Sequence, residues 1–478
     1  MGPSRKKLVD EQVAVVECYY AMVITVFRDM PQWIEALPDH RRKPDYLVVY
    51  IVWGVILGTL AGFRSGRLLE QTFRSCEPQV ADNIDRFVGT PGPGKIPCCE
   101  TVNRYLGDVP YEAFDALLAK FFRSLLVAKR LDICRDPLSN GIMLAADGTG
   151  LSTFANDRGH CIYREHGDGS VTYHHYALVM SAASADGVVI PLHIETVENP
   201  EGHRHSFEKQ DCEYKALISA MIKVKAQFKM LPVTLLLDAL YIRYPILNLC
   251  REFGWKVCFA YKEGVVKGLD REVKKRQKKE LYTVRSRLLE NGCTEKSTMR
   301  AFEISYRYGQ AGHKENTPLM VTYAEMTVEV FDKEDRKQEK ETRVIRRITT
   351  LKLGTPAQLT SFFEKVAGTR WKIENQVFNE MKNLGFNFEH AFATRGNAMH
   401  NRQCLMLIAL IFRQLVEKTN LVQLYLKHQA GVTQETPSIR KSLGSIFAIS
   451  NAILIALVSR AIKTDIDASQ WRIRWLSG

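Results

Sequence analysis

The chain has 478 residues, 66 Lys plus Arg against 53 Asp plus Glu, a formal charge of +13, and 46% hydrophobic with 25% charged residues. That balance excludes a mostly disordered, collagen-like or small disulfide-stapled protein, and the length is enough for two or three domains. The positive surplus favours a polyanionic partner, nucleic acid or an anionic membrane surface, while 11 cysteines with no CxxC pair read as a reduced cytosolic protein.

Residues 1–135 read as a helical N-terminal domain with DNA binding as a candidate role. The opening MGPSRKKLVDEQ reaches Asp10 and Glu11 before any apolar run, so no secretory signal is expected. Leu47–Phe63 is an uncharged apolar stretch of 17 residues with three glycines, short for a membrane span, and reads as a buried core helix. The segment Gly89–Pro97 (GTPGPGKIP) must break any helix. Two amphipathic helices hinged near Gly107–Pro110 follow. They are either a helix–turn–helix that offers Asn103 and Arg104 to DNA or an ordinary helical hairpin.

The texture changes at residue 141. GIMLAADGTG is an apolar run ending in Asp-Gly, and YHHYALVMSAASADGVVIPLHIETV predicts two strands around an Asp186-Gly187 turn. Apolar residues then recur at helical spacing from Tyr214 to Val224. PVTLLLDALY predicts a short strand, PILNLCREFG a helix and WKVCFAYKEG another strand, an order compatible with a mixed sheet carrying helices on its faces. Residues 263–287 are a charge run whose Lys274, Lys275, Arg276, Lys278 and Lys279 form either a solvated face or a phosphate-binding surface. Strand-like text returns from Thr298 to Lys352, a long helix is expected from about Pro356 to Asn383, and the remainder reads as helical. The chain therefore divides at 1–135, 136–262, 263–355, 356–420 and 421–478.

Asp147 closes the first apolar run and Asp238 closes PVTLLLD. A carboxylate directly after several apolar residues sits at the edge of a buried sheet, where its charge is costly unless paired or metal-bound. Two such ends on neighbouring strands would make an all-oxygen site of the kind Mg²⁺ accepts. Taken singly, each is as well explained by a turn or a cap. Glu374 lies one helical turn after Arg370, flanked by Trp371 and Ile373, which are expected to anchor one face in the core. The pair reads either as a surface ion pair or as a third metal ligand beside a phosphate-gripping arginine. Six histidines (His160, His166, His174, His175, His203 and His205) gather near Cys161 and Cys212, but their spacing is not a common zinc pattern.

The segments DGTG, LLLDALY and RWKIEN, in this order, resemble the three acidic motifs of DDE transposases of the insertion-sequence family-four type. The resemblance covers roughly residues 140–415, and the 136 positions between Asp238 and Glu374 hold the strand-rich stretch. It implies an α/β fold: a ribonuclease-H-like mixed sheet with flanking helices, interrupted by a β-rich insertion and preceded by the helical N-terminal domain. Asp147, Asp238 and Glu374 match the catalytic, metal-binding triad, and Arg370 matches the arginine four positions before the Glu. Ala367 stands where that group carries a tyrosine, and Met381 where it carries a lysine, with Lys382 one position later. No Trp lies between 263 and 370, so a base-stacking role falls to Tyr306, Tyr308 or Tyr323 if it exists at all.

The resemblance further implies two Mg²⁺ ions, with Mn²⁺ as a substitute, cleavage of element ends and strand transfer into target DNA. The partners would be double-stranded DNA carrying terminal inverted repeats, target DNA, and a second copy of the chain in the DNA complex, with no membrane. The location would be the cytoplasm of a bacterial or archaeal cell, on the nucleoid. Arg370 and Lys382 would grip DNA near the reacting bond, and the lysine run would track its backbone. The competing readings are another ribonuclease-H-like nuclease, such as a junction resolvase, and a catalytically silent DNA-binding protein derived from a transposase.

Overall fold

The computed structural model describes residues 5–89, 92–198, 209–275, 280–306, 318–334, 336, 342–430, 445–459 and 461–476. Ten strands share one mixed sheet: β1 (Ile142–Phe154), β2 (Ile162–Glu165), β3 (Val171–Ala183), β4 (Val189–Val197), β5 (Val233–Leu237), β6 (Lys256–Ala260), β7 (Leu281–Leu288), β8 (Thr294–Tyr306), β9 (Leu319–Phe331) and β10 (Arg343–Thr349). Their order is β2-β3-β1-β5-β6-β10-β9-β8-β7, with β4 also paired to β3. β3 is antiparallel to β1 and β4, while β1, β5 and β6 are mutually parallel neighbours. The parallel strands read as continuous apolar runs because helices cover both faces, as burial on two sides requires. Helices α8 (Lys209–Gln227) and α9 (Tyr244–Phe253) make the crossovers into β5 and β6.

The strand-rich stretch continues this same sheet, β10 pairing antiparallel with β6 through Arg347↔Ala260 and Thr349↔Cys258. Two strands escaped the sequence reading. β2 is only four residues long, and β7 lies inside the charge run, where Arg285 and Arg287 interrupt the apolar alternation.

Helices α1 (Arg5–Val26), α2 (Met30–Glu35), α3 (Val48–Leu60), α4 (Gly66–Ser75), α5 (Glu77–Val88), α6 (Cys99–Asp108) and α7 (Tyr111–Val127) occupy the first part of the chain. Every residue of α3 except Gly54 is buried, as expected for a core helix. Among the described residues no helix is long and apolar enough to cross a membrane. The α6–α7 pair packs as a core hairpin: Phe114, Leu117, Leu118, Phe121, Phe122 and Leu125 of α7 are buried, while Arg104 is exposed and Asn103 half-buried.

The helical half is organised around α14 (Ala398–Lys418), buried without interruption from Asn401 to Glu417 and packed against α1, α3, α6, α7 and β4. A helix buried on all sides runs through the middle of a protein, and the polar residues it carries need partners there. The chain ends on α15 (Leu421–Ala430) and α16 (Ile446–Ser459), which lie against α1. Asn83 on α5 clamps the last of these: its amide donates to the Leu457 carbonyl at 2.8 Å and accepts from the Ile462 N–H at 2.9 Å. Asn83→Ala would leave two buried backbone groups unpaired, at a cost of ~1–3 kcal/mol each at most. We expect a lower unfolding midpoint in thermal melts with unchanged secondary structure, and an unaltered midpoint would show that the clamp carries no stability.

Candidate active site

The site forms where two parallel strands separate. β1 and β5 pair from Ile142↔Val233 to Ala145↔Leu236, and β5 then stops because Asp238 caps a 3₁₀ turn, its Oδ1 accepting from the Ala239 N–H at 2.8 Å. Asp147 does not end its strand as expected. β1 runs on to Phe154, with Asp147 opposite Val179, because the 13-residue β3 offers an antiparallel partner beyond the end of β5. Gly148 serves close approach instead of a turn, since a Cβ there would lie 2.6 Å from Glu213 Oε1 on α8. The two aspartates therefore stand at the same end of neighbouring strands, one in mid-strand and one at a strand end.

The third acid arrives on a segment that is not the uninterrupted helix predicted for it. Thr355 caps α11 (Pro356–Phe362), accepting from the Gln358 N–H at 3.2 Å. A π turn spans Phe363–Ala367, the chain breaks at 368–370, and α12 (Trp371–Ile373), a second π turn (Glu374–Asn379) and α13 (Glu380–Asn383) follow. Such π turns are rare and frequent at functional sites. The break is tied to the sheet by Arg347 of β10, which donates to the Ala367 carbonyl through Nε at 2.8 Å and Nη2 at 2.6 Å. Trp371, expected to anchor the core together with Ile373, is instead 55% exposed while Ile373 is buried, because residues two positions apart face opposite sides of a helical turn.

Arg370 holds the centre. Its Nη1 lies 3.1 Å from Asp147 Oδ2 and its Nη2 lies 2.8 Å from Glu374 Oε1, with only 11% of its side chain exposed. The Asp147 carboxyl is pushed up to about 7, first by burial, then by the negative charges of Glu374 and Asp238, against the opposing pull of Arg370. Burial is thus the main reason that this carboxyl holds its proton, and Arg370 is the group that opposes it most. The carboxylates have not collapsed onto a point: among the described residues, the group of three donors mutually within 4.8 Å is Asp115, His400 and Cys404 instead.

Tyr241 was missed by sequence reasoning. It sits three positions after Asp238, is 3% exposed, and among the described residues its hydroxyl has no hydrogen-bond partner, although Glu213, Asp147, Asp238 and Arg370 act on it electrostatically. The signal was the Asp-Ala-Leu-Tyr spacing, which a 3₁₀ turn folds back beside the acid. Lys382 returns to β1, donating to the Gly150 carbonyl at 2.6 Å and pairing with Glu389 at 2.7 Å.

The other candidates lie apart from this cluster. Lys274 and Lys275, at the end of α10 (Lys267–Lys274), are exposed and paired with Glu263 and Glu272. Arg276, Lys278 and Lys279 lie outside the described residues, as does Tyr308. Tyr306 and Tyr323 are buried packing residues, 4% and 1% exposed, not stacking surfaces. Of the histidines, His174 is held between Thr153 and Thr172, and His160 faces Glu198 at 2.5 Å. His203, His205 and the side chain of Cys212 lie outside the description. No protein-family profile and no curated protein sequence matches the chain.

The raised Asp147 carboxyl sets a sign for pH dependence. The folded chain keeps this proton up to pH about 7, whereas an unfolded Asp releases it near pH ~4. Stability from this group is therefore full below pH ~4 and is lost as pH rises toward ~7 in metal-free protein. Asp147→Asn should flatten that slope and raise the midpoint at pH 8 by roughly 2–4 °C, with little effect at pH 4. A variant melting below the parent at pH 8 would mean that the Arg370 contact outweighs burial.

Proposed function

We propose that this protein is a metal-dependent DNA transposase with a ribonuclease-H-like catalytic core. The observation that carries the reading is the Arg370 guanidinium set between Asp147 and Glu374, residues brought together across 223 and four positions respectively, with Asp238 on the adjacent parallel strand. The order β4-β3-β1-β5-β6, antiparallel then parallel, supports the fold component, since it is the arrangement that a ribonuclease-H-like core requires.

The residues fit divalent magnesium. The donor set of Asp147, Asp238 and Glu374 is entirely carboxylate oxygen, which suits a hard cation. Asp147, Asp238 and Glu374 would hold the metal, which when bound supplies activation of the attacking oxygen and neutralisation of the leaving one. The chain's own residues do the positioning. Arg370 neutralises two acids in the resting protein and is placed to take a DNA phosphate in exchange. Lys382 fixes β1 just beyond Asp147 while carrying its own charge toward the same cleft. Trp371, exposed beside Arg370 with its ring 5.9 Å from the guanidinium carbon, offers a face on which a base can stack. Phosphoryl transfer needs positioning and charge neutralisation more than a covalent nucleophile.

The decisive experiment incubates the protein with duplex DNA carrying the ends of the element that encodes it, with and without Mg²⁺. Cleavage at the element boundary supports a transposase; structure-selective cleavage of branched DNA would favour a resolvase-like nuclease, and binding without cleavage a silent derivative. Asp147→Ala, Asp238→Ala or Glu374→Ala should each lower cleavage by at least ~10³-fold with DNA affinity preserved, and substantial Mg²⁺-dependent cleavage by any of them would sink the assignment. Arg370→Ala should cut the cleavage rate by ~10²–10³-fold, more than it weakens binding. Lys274→Ala with Lys275→Ala should instead weaken binding to any DNA, lowering the salt slope by about one per lost phosphate contact.

A further inference from the structure

We propose a second metal site, of zinc type, built from Asp115 on α7 and from His400 and Cys404 on α14. His400 and Cys404 are four positions apart and so share one helical face, and Asp115 meets them from the facing helix. Asp115 Oδ1 lies 2.8 Å from His400 Nε2 and 3.6 Å from Cys404 Sγ, and the three donor atoms fall within 4.8 Å of one another. A tetrahedral zinc with ordinary bond lengths separates its donors by about 3.3–3.8 Å, so His400 and Asp115 need to part by only about 0.5 Å. The ring is already oriented for this: His400 Nδ1 faces the Thr196 hydroxyl at 3.2 Å, which leaves Nε2 for the metal.

The donor set selects the metal. Thiolate and imidazole favour zinc, cobalt and their neighbours over magnesium, the reverse of the all-oxygen cluster at Asp147. Charge agrees with the location, because a carboxylate and a thiolate together cancel a divalent cation in a buried place where net charge is costly. Asp115 and Cys404 are buried, but His400 also lines a polar cavity of about 560 Å³ that includes Tyr111, His175, Glu195 and Lys223. Water from that cavity would complete the fourth position, and the metal would enter through it.

The test uses full-length protein freed of metal with a chelator and titrated with Co²⁺. We expect one equivalent to produce thiolate-to-cobalt charge-transfer absorption with tetrahedral ligand-field bands, displaced by equimolar Zn²⁺ and unaffected by a large excess of Mg²⁺. The combined Asp147→Ala, Asp238→Ala, Glu374→Ala variant should retain the signal in full, which separates this site from the proposed catalytic one. Cys404→Ala should abolish the charge-transfer band. If circular dichroism shows that variant unfolded, His400→Gln, which keeps a polar side chain against Asp115, should lower Co²⁺ affinity by at least ~10-fold. Absence of the band in the parent protein, or its persistence in folded Cys404→Ala, would overturn the proposal.

Discussion

Two carboxylates stripped of much of their water and held by one guanidinium set the terms for the rest of the site. Asp147 stands in a strand whose parallel neighbour has already ended, so its side chain gains no compensation from β5. Instead it faces Arg370 at 3.1 Å and feels Glu374 and Asp238 as like charges. A buried charge without full compensation is costly, and a single counter-charge shared by several acids is weak evidence for stability. The Arg370 contacts to Asp147 and Glu374 are what offset that cost within the fold.

Delivering Arg370 and Glu374 to that place needs more than a regular helix. A straight α-helix from Pro356 to Asn383 would have to align its apolar stripe with the core over its whole length. Phe362, Val366, Ile373 and Val377 are all buried along this segment, on either side of the two π turns' junction. Arg347 makes this geometry specific, because its two donors meet the Ala367 carbonyl at the helix break, and its own guanidinium charge is disfavoured by burial. It reaches this segment from β10, so a strand that follows α10 holds the geometry of the acidic cluster from within the sheet.

What the sequence made legible follows from the range of the interactions involved. Local patterns gave the strands around Asp186-Gly187, helices α3, α8 and α9, and the 3₁₀-capping Asp238, because each rests on contacts within a few positions. The strand boundary at Asp147 was misread because its pairing with Val179 is non-local, and Asp-Gly is a turn signal only when no partner strand is available. Trp371 was misplaced because it lies two positions from Ile373, and such residues face opposite sides of a helical turn. Arg347 and the Asp115–His400–Cys404 cluster were invisible for one reason: each acts across the fold, His400 and Asp115 from 285 positions apart. The acids at Asp147, Asp238 and Glu374 were legible only through a motif resemblance, since nothing local distinguishes them from turns and caps.

The same distance argument bears on the boundary drawn near residue 135. A hinge there would need few contacts across it, yet α14 reaches from the sheet edge at β4 into the middle of the N-terminal helices. Its polar residues are spent on fixing that position. Asn401 donates to the Leu106 and Val109 carbonyls, each at 2.8 Å, at the turn of the α6–α7 hairpin, and Arg413 pairs with Glu417 at 2.7 Å with both side chains almost fully buried. Sliding α14 by one turn would leave the Asn401 amide and the Leu106 and Val109 carbonyls unpaired in an apolar setting, about 1–3 kcal/mol for each group. The helical half is therefore registered against the sheet by directional bonds as well as by apolar packing. The acidic cluster, tied to β1 through Arg370 and Lys382, therefore sits in a fixed frame relative to those helices.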